Sequence, residues 1–222
     1  MDEIAKAIQK LKKEMGAHVQ LVAVSKTKPE EAILAAYEAG QKVFGENKAR
    51  ELESKAKALP KDIEWHMIGH LQSNKVKYIA PYVNLIHSVD KFKLLKEINK
   101  RAKQNERIIQ VLLQIHIAKE ESKFGLNVKE LQALLKSESL PELKHIQIAG
   151  LMGMATLTEN KDQIKAEFDD LKQLFDQTKA EYFSEDERFN ILSMGMSNDY
   201  QIALKAGSNM LRIGSAIFGE RN

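Results

Sequence analysis

Eight short apolar runs, rich in β-branched residues, recur along this chain: HVQLVAVS, QKVFGE, IEWHMIG, NLIHSVD, IIQVLLQIHI, IQIAGLMGM, FNILSMGM and NMLRIGSAIFG. Polar segments with helical spacing separate them. Strands that alternate with helices pair in parallel through right-handed crossovers. Eight such units predict an α/β fold, a single closed (β/α)8 TIM barrel, rather than an open doubly wound sheet. An amphipathic segment, MDEIAKAIQKLKKEM, precedes the first run and places Ile4, Ile8 and Leu11 on one face. It predicts an extra N-terminal helix that ends near Gly16.

The helix signals are local. PEEAILAAYEAG has Pro29 in its first turn and Gly40 as its stop. Asp90 is expected to cap KFKLLKEINKRAKQ, and Asn127 to cap VKELQALLKS. From Lys161 to Tyr182, Ile164, Phe168, Leu171, Leu174 and Phe175 recur at helical spacing and read as core. With four prolines and no linker or low-complexity tract, residues 1–222 read as one domain.

Composition narrows the function. There is no cysteine, which excludes disulfides, cysteine nucleophiles and thiolate metal sites. The balance of 34 Lys plus Arg against 31 Asp plus Glu is too even to call for nucleic acid. No apolar run approaches a membrane span, and the N-terminus lacks the apolar core of a signal peptide. A cytoplasmic protein with no membrane or nucleic-acid partner is expected.

Barrels of this kind build their sites at the C-terminal ends of the strands. The first strand ends on Lys26. Alternation puts Val22, Val24 and Lys26 on one face. If the valines fill the barrel, Lys26 points into its mouth, while Lys28, beside Pro29, faces solvent. A lysine in that position is either a desolvated nucleophile able to attack a carbonyl or a snorkelling or ion-paired side chain. The exits of the seventh and eighth strands carry GMSND and RIGSAIFGE, with Ser197, Gly214 and Ser215. Hydroxyls, backbone N–H groups and a close-approach glycine in these two loops suit a phosphate, although serine and glycine also serve ordinary turns. Arg212 interrupts an apolar strand on the same face as Gly214 and needs an acceptor, either a ligand or a core carboxylate such as Glu46.

Taken together, AVSKTKP, FGEN, EWHMIGHLQSNK, ESKFG, GLMGMAT, SMGMSND and RIGSAIFG resemble the pyridoxal phosphate homeostasis protein family, relatives of the N-terminal barrel of alanine racemase. The matching stretches run from Ala23 to Gly219 in the family's order. The resemblance implies that Lys26 forms an internal aldimine with pyridoxal 5′-phosphate (PLP). It implies that Ser197, Gly214 and Ser215 hold the phosphate, that Arg212 faces the pyridine nitrogen, and that Asn47 lies beside the ring. It places His66, Met152 and Met154 along the site. Position 215 is often threonine in the family, and serine keeps the hydroxyl. No metal is called for.

An arginine at the ring nitrogen cannot accept a proton, so the ring stays a weak electron sink, unlike in PLP enzymes that place a carboxylate there. The expectation is therefore a carrier that stores, delivers or buffers PLP, acts as a monomer and meets PLP-dependent apoenzymes transiently. The alternative is an amino-acid racemase of low activity. Racemisation needs a second acid/base, which alanine racemase takes from a further domain that this chain is expected to lack, and Tyr200 reads as packing. Lys28, Lys75 and Lys123 are candidate relay lysines.

Overall fold

The computed structural model describes residues 3–119 and 124–219. Helix α1 (Glu3–Met15) leads into β1 (Gln20–Val24), and the chain continues through α2 (Glu30–Glu38), β2 (Val43–Glu46), α3 (Ala49–Ala58) and β3 (Glu64–Met67). Then follow α4 (Val76–Ile79), β4 (Val83–Val89), α5 (Phe92–Gln104), β5 (Ile109–Ile115), α6 (Val128–Leu135) and β6 (Ile146–Gly153). The last elements are α7 (Lys161–Tyr182), β7 (Ile191–Ser193), α8 (Tyr200–Lys205), β8 (Met210–Ile213) and α9 (Ser215–Phe218). All eight strands pair in parallel with their sequence neighbours, and β1 closes on β8, with Val22 opposite Arg212. The barrel expected from the eight runs is present, with α1 as the extra helix.

Local chemistry explains the element ends. Asn127 caps α6 and forms a capping box with Glu130. The α5 start differs from expectation: its N-cap is Lys91, one residue after Asp90. The long helix α7 begins and ends where its periodicity predicted.

The core has two parts. Alternate strand residues such as Leu21, Ala23 and Phe44 face the helices and join one large apolar cluster. Their neighbours fill the barrel: Val22, Val43, Leu85, Leu112, Ala149, Met152 and Met210 form a separate inner plug. Strand parity therefore places Val22 inside, as expected. Gly150, at φ 154°, lets β6 and β7 touch, since a Cβ there would lie 1.8 Å from the Ile191 carbonyl oxygen. The plug leaves a mouth at each end of the barrel.

Candidate functional site

Lys26 follows β1 and is half-buried. The Lys28 N–H donates to the Ser25 carbonyl at 3.0 Å, closing a turn with Lys26 and Thr27 at its centre. Thr27 adopts φ 63°, a left-handed conformation that is costly for a β-branched residue. Its N–H donates to Glu51 Oε1 at 2.6 Å. Glu51 is held in turn by Lys55 Nζ at 2.7 Å, and the same ammonium donates to the Ser25 carbonyl and to Glu46 Oε1, both at 2.8 Å. Ser25 Oγ donates to Glu46 Oε1 at 2.7 Å. Both flanks of Lys26 are thus fastened to one buried ionic cluster from β2 and α3. Burial raises the Glu46 carboxyl above its usual range, against the pull of Lys55 and Ser25.

Glu46 is therefore committed to Lys55, which excludes the Arg212–Glu46 pair considered from sequence. Arg212, 4% exposed, instead donates from Nη1 to the Ser193 carbonyl at 2.9 Å and Ser193 Oγ at 2.7 Å, and from Nη2 to the Gly153 carbonyl at 3.0 Å. Among the described residues no carboxylate lies within ion-pair distance of it. Burial lowers the guanidinium to about 10, with Asp199 opposing the shift.

The exits of β7 and β8 lie beside each other. Met196 N–H donates to Asp199 Oδ1 at 2.6 Å, and the Asp199 and Tyr200 N–H groups return to the Met196 carbonyl. The N–H groups of half-buried Ser197 and exposed Asn198 have no protein partner among the described residues. After β8, Ile217 and Phe218 donate to the Gly214 carbonyl, leaving the N–H groups of Ser215 and Ala216 equally uncommitted at the start of α9. A Cβ on Gly214 would crowd the Val24 carbonyl oxygen at 3.2 Å. Two hydroxyls, free amides and a space that a side chain would fill match the chemistry of a phosphate, and the nearby lysine matches that of an aldehyde. The donor set fits PLP.

The other expected residues divide. Asn47, half-buried after β2, lines a cavity of about 370 Å³ at the same mouth with Met67, His70 and Lys75. Gly69 lets the β3 exit approach it, since a Cβ there would lie 2.5 Å from the Asn47 carbonyl oxygen. Met154 is half-buried against the plug, while Met152 is a fully buried part of it. His66 does not join the group: it lines a cavity at the opposite, N-terminal mouth. Its Nδ1 meets His87 Nε2 at 3.1 Å, and His87 Nδ1 meets Ser193 Oγ at 3.1 Å. Burial drives His66 down to about 3 and His87 well below the imidazole range, so both are neutral. Lys28 Nζ donates to the Phe218 and Gly219 carbonyls at 2.9 and 3.3 Å, tying the first loop to the end of α9. Lys123 lies outside the described residues.

Sequence reasoning missed Ser25, Lys55, Glu51, His87 and Ser193. The available signal was a polar residue within an apolar run for three of them. Lys55 gave none, because it reads as the partner of Glu51 one turn earlier on a solvated helix.

A family model described as "Alanine racemase, N-terminal domain" matches residues 1–222. The "Pyridoxal phosphate homeostasis protein" of Aquifex aeolicus is 40% identical over 203 residues, covering 91% of this chain and 87% of the relative. Its counterpart in Haemophilus influenzae is 41% identical over 208 residues, covering 92% and 86%. The structure of PipY from Synechococcus elongatus with PLP bound is 34% identical, with a TM-score of 0.86 over 97% of this chain and 100% of that one. Alanine racemase from Bartonella henselae, at 17% identity and TM-score 0.71 over 98% of this chain and 58% of that one, shares the fold.

Proposed function

The chain belongs to the family of the alanine racemase N-terminal domain, within its pyridoxal phosphate homeostasis branch, and on that premise we propose that it binds PLP at Lys26 and stores or delivers it. The observation that carries the reading is the meeting of three neighbouring strand exits at one mouth: the Lys26 turn after β1, the free amides after β7, and those after β8.

When bound, the cofactor supplies an aldehyde that condenses reversibly with a primary amine. Lys26 is the amine assigned to it, held at the mouth by the clamp on Ser25 and Thr27. Ser197 and Ser215, with the amides around them, hold the phosphate, and Gly214 lets it approach the backbone. Arg212 is the residue that would face the ring nitrogen, and a guanidinium has no acceptor to take a proton there. Asn47 and Met154, both half-buried at this mouth, would line the space for the ring, with Met152 in the plug below them. His66 reaches this site only through His87 and Ser193. Because that condensation is reversible, a competing amine would recover the aldehyde and leave Lys26 a primary amine.

This arrangement favours holding over turnover. The Tyr200 hydroxyl, the candidate second base, donates to Glu14 Oε2 at 2.6 Å and so serves the packing of α8 on α1. We read the chain as one domain acting as a monomer in the cytoplasm. Among the described residues no helix is long and apolar enough to cross a membrane.

Incubation with PLP should give a visible absorption band that Lys26→Ala abolishes while the fold, followed by circular dichroism, is kept. A colourless wild-type protein would overturn the assignment. The loaded protein should pass PLP to an apoenzyme faster than an aldehyde trap intercepts it. Racemisation of L-amino acids at ordinary enzymatic rates, about 1–10³ per second, would overturn the carrier reading.

A further inference from the structure

At the N-terminal mouth, a cavity of about 380 Å³ is lined by Gln20, Glu64, Arg107, Gln110 and Gln147, with His66 among them. His66 is 3% exposed. Its Nδ1 is bonded to His87, and its Nε2 has no protein partner among the described residues.

One direction of the hydrogen-bond chain behind it gives every proton in it an acceptor among the described side chains, and it is read from the far end. Arg212 can only donate, so Ser193 Oγ accepts from it at 2.7 Å. The Ser193 hydroxyl then donates to His87 Nδ1, its remaining side-chain partner, at 3.1 Å. His87 is left with its proton on Nε2 and donates it to His66 Nδ1 at 3.1 Å. Neutral His66 therefore carries its proton on Nε2, and presents an N–H donor to the cavity. The cavity opens between exposed Gln20, Glu64 and Gln110, so that N–H is within reach of a solute from solution.

The cavity's charges add a second constraint. Glu64 and Arg107 both line it but form no ion pair with each other, and the Arg107 guanidinium donates to the Ala80 carbonyl at 2.8 Å. One wall thus offers a carboxylate, another a guanidinium, and the floor an N–H donor, with amides between them. A ligand with matched, separated charges suits such a cavity better than a simple anion or cation.

We propose that this cavity is a second site, distinct from the Lys26 mouth, for a small zwitterion carrying one carboxylate and one ammonium group. The carboxylate accepts from His66 Nε2 and Arg107, and the ammonium group faces Glu64. The site stands whether or not PLP binds at the other mouth.

The test is a titration of the full-length, ¹⁵N-labelled protein, free of PLP, with glycine, followed at the His66 imidazole. The free protein should show the proton on Nε2, and glycine should shift that resonance saturably. Acetate and methylamine, each half of the zwitterion, should bind about tenfold more weakly. Glu64→Gln and Arg107→Gln should each weaken glycine about threefold, the size of one exposed charge interaction. Loading with PLP should leave the glycine response in place. A proton on Nδ1, no saturable response to glycine, an equal response to acetate, loss of the response on PLP loading, or unchanged affinity in both variants would each overturn the proposal.

Discussion

Two buried polar networks flank the barrel interior, and they handle charge in opposite ways. On the β1–β2–α3 side the network is ionic: Lys55 sits among Glu46, Glu51 and the Ser25 carbonyl within 2.8 Å. On the β8–β7–β4 side Arg212 is solvated only by neutral oxygens, and the chain behind it consists of a serine and two neutral imidazoles. The first network uses its charge internally, to hold a strained backbone turn around Lys26. The second leaves the charge of Arg212 without a carboxylate partner among the described residues. One buried cation is therefore neutralised by carboxylates, and the other is held by neutral acceptors alone.

The contrast predicts unequal costs of removal. Lys55→Met should be the most damaging change, because it leaves Glu46 buried without its partner. A loss of about 3–5 kcal/mol in denaturant unfolding is expected, and Glu46→Gln added to it should restore part. Recovery of nothing would mean that the two charges are not coupled.

Arg212→Met orphans neutral acceptors instead of a charge. The expected loss is smaller, about 1–3 kcal/mol, while PLP affinity falls by a larger factor than stability alone explains. If Arg212→Met destabilises as much as Lys55→Met, the distinction between the networks fails.

The third prediction is a pH effect confined to the neutral network. His66 titrates at about 3 and His87 well below its usual value in the folded protein, whereas both take up protons near 6.5 when unfolded. The unfolded chain thus binds more protons below pH 6.5, so stability is full above that value and falls as pH drops toward the folded values. Between pH 7.5 and 5.5 each imidazole should cost about 1.4 kcal/mol. His87→Gln, measured by urea unfolding at both pH values, should remove about half of this loss.

How much of this was legible in the sequence follows from the range of each interaction. Lys26 was legible because alternation over six residues decides which face a side chain takes, and the structure puts Val22 in the plug as that parity requires. Ser197, Gly214 and Ser215 were legible as loop chemistry, and Arg212 as a charge inside an apolar strand. His66 was placed along the site by the resemblance alone, and strand parity says nothing about which mouth an inward residue meets. Depth along the barrel depends on register and tilt between strands. The α5 cap missed by one residue, a shift that local signals do not resolve.

Periodicity and turn chemistry were enough for the class of fold, the inward faces and the lysine at the end of the first strand. These depend on neighbours a few residues apart. The partners were settled by closure of the barrel. It brought Lys55 to the Ser25 carbonyl across 30 positions, and His87 to Ser193 across 106. A helix lysine that looks solvated became the fastener of the Lys26 turn, and a histidine expected along the Lys26 site lines the opposite mouth. Such contacts depend on how the sheet closes and in what register, and that geometry is a property of all eight strands together.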